Sequence, residues 1–271
     1  MSLPFVPSDA GLLLLQAAVV AAPRAVRRPA WMDRIRGIGW ALVPVASIVV
    51  VIFAIRYASD TATWLTYLAL VAVPPLAAVA LGWAWRPANP AAAVGAAALF
   101  ALAWAAHRSL AGDTAAALLS ALSCVTLGVL LAAVTPPGWL KLGIVAMAAA
   151  DTWLVVSDLL QSPNAALIAA HPPGTLPRLQ SETFGSAVMG YGDLFVAAVL
   201  GATLAADRRR QLVAACCTLI VAGLFDLLFL AVNELPATVP VALVVIGLEV
   251  CDRVSAGRRS PRAGAIPRPE T

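Results

Sequence analysis

The sequence predicts an all-α, polytopic membrane protein with about nine transmembrane helices. Three observations carry that expectation. Hydrophobic residues fill 61% of the 271 positions and charged residues only 12%. Mean hydropathy is +0.89. The apolar runs are long enough to cross a bilayer, and charges, prolines and short polar turns separate them. The net charge of +4 does not mark a nucleic-acid binder, because the basic residues lie in short connections rather than on one soluble face. They act as topology signals.

Taken in order, the predicted spans are 10–22, 38–55, 62–85, 91–106, 115–134, 140–160, 184–206, 211–232 and 235–251. The first is as short as a signal-peptide core, yet no basic residue precedes it while Arg24, Arg27 and Arg28 follow it, which favours a retained helix with its N-terminus outside. Most lysines and arginines fall in alternate connections and in the C-terminal tail, with Arg34, Arg36 and Arg208-Arg209-Arg210 the strongest markers. The chain is therefore expected to run N-out and C-in. Pro74-Pro75 should kink the third span. Trp31, Trp40, Trp64, Trp83, Trp85 and Trp139 fit an interfacial belt; Trp104 and Trp153 do not. The longest connection, 161–183, carries four prolines and is placed outside, where it can lie over a site. Residues 1–254 form one transmembrane domain, and 255–271 read as a disordered, basic cytoplasmic tail.

Five acids fall inside the spans: Asp151, Asp158, Asp193, Asp226 and Glu249. No basic residue lies in the interior of a span to neutralise them, so they must share protons or face water, and an ionisable residue at membrane depth is read first as functional. Asp193 stands out because it closes Gly190-Tyr191-Gly192-Asp193. Counting helix rise from the span ends puts Asp151 and Asp193 each about 13 Å below the outer ends of neighbouring antiparallel helices. The two carboxylates can then meet at one depth. Asp158 lies nearer the surface, and Asp226 is the rival to Asp151.

Two aspartates in hydrogen-bond reach cannot both ionise cheaply, so they share a proton. The ionised partner can take a proton from an attacking water while the neutral one donates to a carbonyl oxygen, which is peptide hydrolysis without metal, cofactor or covalent intermediate. Gly190 and Gly192 either allow close approach of a substrate backbone or serve tight helix packing. Pro236-Ala237-Thr238-Val239-Pro240 opens the last span. Its prolines either start that helix or leave an irregular edge beside the acids. The cysteines Cys124, Cys216, Cys217 and Cys251 lack zinc-site or disulfide spacing, and His107 and His171 form no H-E-x-x-H pair, so no metal site is expected.

This pattern resembles the presenilin and signal peptide peptidase family of intramembrane aspartyl proteases. That family has nine spans, an Asp in the sixth, Gly-x-Gly-Asp in the seventh and Pro-Ala-Leu opening the ninth. Asp151, Gly190-Tyr191-Gly192-Asp193 and Pro236-Ala237-Thr238 occur in those places and that order. Ala150 replaces the family's Tyr, and Thr238 its Leu. The resemblance implies a presenilin-like fold, catalytic Asp151 and Asp193, and a substrate site shaped by Gly190, Tyr191, Gly192, Pro236, Ala237 and Thr238. It also implies transmembrane-helix substrates, including remnant signal peptides, since the N-out orientation is that of signal peptide peptidases. The expected setting is a prokaryotic plasma membrane.

Two other readings compete. Prepilin peptidases also carry Gly-x-Gly-Asp, but they have a basic residue two places after the Asp, where this chain has Phe195. A transporter or proton pathway would use buried carboxylates too, yet no inverted repeat is visible. A serine protease is poorly supported because no histidine lies near Ser186 within its span.

Overall fold

Alanine, leucine and valine dominate the spans, and their runs coil into helices that satisfy their own backbone groups, as a lipid environment requires. The computed structural model describes residues 7–26, 30–57, 61–157, 159, 161–170, 172, 174–185, 187–230 and 235–259. In chain order the helices are α1 (Pro7–Ala21), α2 (Ala30–Ile35), α3 (Val43–Tyr57), α4 (Thr61–Val79), α5 (Val94–Ala105), α6 (Leu110–Val134), α7 (Pro137–Val156) and α8 (Gln161–Ala169). A hairpin of β1 (Ser181–Phe184) and β2 (Ala187–Gly190) follows, then α9 (Tyr191–Leu204), α10 (Arg208–Asp226) and α11 (Val239–Arg259).

Each predicted span contains helix, but among the described residues only three segments are both long and apolar enough to cross a membrane: Thr61–Ala84, Leu110–Val134 and Pro137–Val156. Ser8–Ala21, Ile38–Ser47, Pro90–Ala105 and Tyr191–Leu204 are shorter apolar helices. The chain is thus a mostly helical protein with three candidate membrane-spanning helices.

α6 is the axis of the bundle. It packs against α4, α5, α9 and α1, and its sides carry small residues that let neighbours come close. At Gly128 a Cβ would stand 2.8 Å from the Ala198 backbone of α9; at Gly201 a Cβ would stand 2.2 Å from the Val20 carbonyl of α1. With little hydrophobic drive between helices in lipid, such close approach is what holds them together. Ser109 and Asp207 cap α6 and α10, accepting from the Gly112 and Arg210 amides.

Several boundaries differ from expectation. The run 184–206 is not one helix: Gly185 takes φ +60, residues 181–184 pair antiparallel with 187–190, and helix begins only at Tyr191. A glycine at positive φ turns the chain where an apolar count sees continuity. The connection 161–183 holds a helix of its own, α8, and its Leu179 is fully buried against residues of α4, α5 and α6. α4 runs helical through Pro74 and Pro75 and then widens into a π turn, Ala80–Ala84, with the Leu76 carbonyl bonded by the Thr126 hydroxyl. The span 211–232 leaves α-helix at Asp226, its last two residues lying outside the described residues. α11 starts at Val239, not 235, and stays helical to Arg259, into the stretch read as a disordered tail; residues 260–271 lie outside the described residues.

Candidate active site

Asp151 lies in the last two turns of α7 and Asp193 in the first turn of α9, and these two helices pack against each other. Helix rise puts Asp151 about 7.5 Å from the end of α7 at Val156 and Asp193 about 3 Å from the start of α9. The predicted depth of about 13 Å was too large because both helices are shorter than the apolar runs. Both residues nonetheless sit at the same end of an antiparallel pair. Each is half-buried, and the charge of Asp151 acts on Asp193.

Asp226, the rival, has a different charged neighbour. The carboxylate that acts on it is Asp9 of α1, which packs along α10. Glu249 has a cationic partner after all: Lys141, at the opposite end of α7, forms an ion pair with it across to α11. Asp158 lies outside the described residues, as does His171.

Asp193 is the third residue of its helix, and its Oδ2 accepts the Gly190 amide at 3.1 Å. A carboxylate in a first turn also meets the positive end of the helix dipole. Asp151 is held from α11. The Thr238 hydroxyl donates to its Oδ2 at 2.7 Å, and the Thr238 backbone amide bonds it as well. The proline motif explains why Thr238 is there. Pro236 and Thr238 are buried, the turn closes with the Val239 amide on the Pro236 carbonyl, and the Thr238 carbonyl accepts the first bond of α11 from Ala242. Thr238 therefore caps the helix with its backbone while its side chain serves Asp151.

Of the other residues assigned to the site, Gly192 is exposed, with nothing within 4 Å of where a Cβ would stand. At Gly190 a Cβ would meet only the Asp193 carboxylate, at 3.1 Å. Neither glycine serves helix packing, a job done at Gly128 and Gly201 instead. Tyr191 points into the bundle: its hydroxyl bonds Ser123 of α6 at 2.7 Å, and the Cys124 thiol reaches its carbonyl. It braces the start of α9. Ala237 offers its carbonyl to Gln16 of α1, 3.1 Å away. Sequence reasoning did not single out Gln16; its signal was a lone amide in an apolar helix. Among the described residues no group of three His, Cys, Asp or Glu side chains is placed to hold a metal ion.

Comparison with known proteins finds no matching family model, curated protein or solved structure.

Proposed function

We propose that this chain is an intramembrane aspartyl endopeptidase that hydrolyses peptide bonds in transmembrane helices, with Asp151 and Asp193 as the acid–base pair. The observation that supports the reading is that these two acids lie at the same end of the packed helices α7 and α9, near enough for the charge of one to bear on the other. Asp193 is acted on by Asp151, whereas Asp226 is acted on by Asp9 and Glu249 is tied to Lys141. Two carboxylates that share one proton on packed helices are the equipment that metal-free amide hydrolysis needs.

Asp151, with two donors from Thr238 already on its carboxylate, takes the base role. It accepts a proton from water as the water oxygen bonds to the carbonyl carbon. Asp193 gives its proton to the carbonyl oxygen. Asp151 then gives its proton to the amide nitrogen while Asp193 takes one back from a hydroxyl of the diol; the carbon–nitrogen bond breaks to leave a carboxylic acid and an amine, and the pair again holds one proton. A helical substrate hides its carbonyls, so it must be unwound before attack. Strand β2 runs directly into Asp193, and a two-stranded sheet leaves one edge of each strand without a strand partner. An extended substrate segment added to that edge would lie beside the carboxylates. In this reading the protein resides in a prokaryotic plasma membrane, N-terminus outside, and its substrates include remnant signal peptides.

The test is cleavage of a synthetic signal-peptide helix by the purified chain in detergent. Cleavage that disappears in both Asp151→Asn and Asp193→Asn supports the proposal. Cleavage that survives either substitution removes it.

A further inference from the structure

α1 is the least conspicuous span in the sequence, yet it lines the site end of the bundle. It packs against β1, β2, α9 and α10. Gly11 abuts the Phe184 ring, and a Cβ on Gly185 would strike the Ser8 hydroxyl. Midway along α1, Gln16 is 1% exposed, a buried amide in an apolar helix. Its Nε2 donates to the Ala237 carbonyl, while its Oε1 is buried with no hydrogen-bond partner among the described residues. A buried amide in an apolar helix is desolvated at a cost, so its one bond, to the Ala237 carbonyl, points to what the residue does there.

From this chain of bonds we infer that Gln16 is a positioning residue for the acid pair: it pins the Ala237–Thr238 turn from α1, and Thr238 in turn orients Asp151. The connection is continuous. Gln16 holds the carbonyl of Ala237, the next residue contributes both its amide and its hydroxyl to Asp151, and the Thr238 carbonyl starts α11. Without the Gln16 bond the turn keeps its closing bond from the Val239 amide to the Pro236 carbonyl but has no tie from Ala237 to α1. Thr238 can then rotate with the first turn of α11. Gln16 itself does not touch the reacting atoms. The kinetic part of the inference rests on the protease reading; the pinning of the turn does not.

The experiment uses the full chain in detergent with Gln16→Met, which keeps length and volume without the amide, and Gln16→Glu, which keeps a donor only while its carboxyl is neutral. Hydrogen–deuterium exchange is followed at the Val239 and Ala242 amides, and cleavage of the signal-peptide helix across pH. For Gln16→Met we expect exchange at these amides to quicken by about tenfold, the scale of one net hydrogen bond. We expect kcat to fall by a similar factor with KM within about twofold, because substrate contacts are untouched. Gln16→Glu should approach wild type on the acid side and fall toward Gln16→Met as pH rises. Unchanged exchange in Gln16→Met overturns the inference, as does a loss carried wholly by KM or a Glu variant that tracks the Met variant at every pH. Faster exchange in Gln16→Met beside a wild type that cleaves no helix supports the pinned turn and overturns the protease reading alone.

Discussion

The Thr238 hydroxyl stands 2.7 Å from Oδ2 of Asp151, joining the residue just before the last helix to an acid on α7 across 87 positions of chain.

Thr238→Val removes that hydroxyl with little change in shape, and Thr238→Ser keeps it. A hydrogen bond to a charged group contributes about 1.5–3 kcal/mol. Steady-state kinetics should therefore show kcat for the valine variant reduced by about ten- to a hundredfold, and the serine variant within about threefold of wild type.

Substitution of the acids separates the pair from its neighbours. Asp151→Asn and Asp193→Asn should each lower cleavage by at least about a thousandfold, because a shared-proton site fails when either member is lost. Asp226→Asn, whose charged neighbour is Asp9, should stay within about twofold in the same assay.

Gly192 and Gly201 make opposite predictions. Gly192→Ala meets open space and adds helix propensity, so thermal unfolding in detergent should be unchanged or slightly raised; a fall in kcat/KM would then report lost room for the substrate backbone. Gly201→Ala forces its methyl onto the Val20 carbonyl. It should lower stability by about 1–3 kcal/mol, the usual cost of overpacking, and shift the melting temperature down accordingly.

The Lys141–Glu249 pair is about a third exposed on each side. Lys141→Met or Glu249→Gln alone strands one charge beside apolar helices and should cost about 2 kcal/mol by chemical or thermal unfolding. The double variant should recover most of that loss, as a double-mutant cycle would show.

The acids and the proline motif were legible in the sequence because charge and proline stand out against an apolar background, and each of these features carries local physical meaning. Counting helix rise from apolar boundaries placed Asp151 and Asp193 at one depth, with Asp226 kept as the rival to Asp151. The boundaries moved, since Gly185 turns the chain and Gly190 gives way to helix only at Tyr191, but both acids moved toward the same end. What sequence could not give was direction. Tyr191 sits inside the signature motif yet reaches back to Ser123. Glu249 was read as lacking a cationic partner because Lys141 stood at a span edge. Gln16 was passed over because an amide carries no charge, and its meaning depends on a contact 221 residues away.

The two ties between α7 and α11 have matched spacing. Lys141 to Asp151 covers about 15 Å of one helix and Thr238 to Glu249 about 16.5 Å of the other, running oppositely. A rigid rod fastened at two separate points has one phase in which both fastenings close. Sliding or screwing α11 by a single turn would unlatch the lysine and the threonine together.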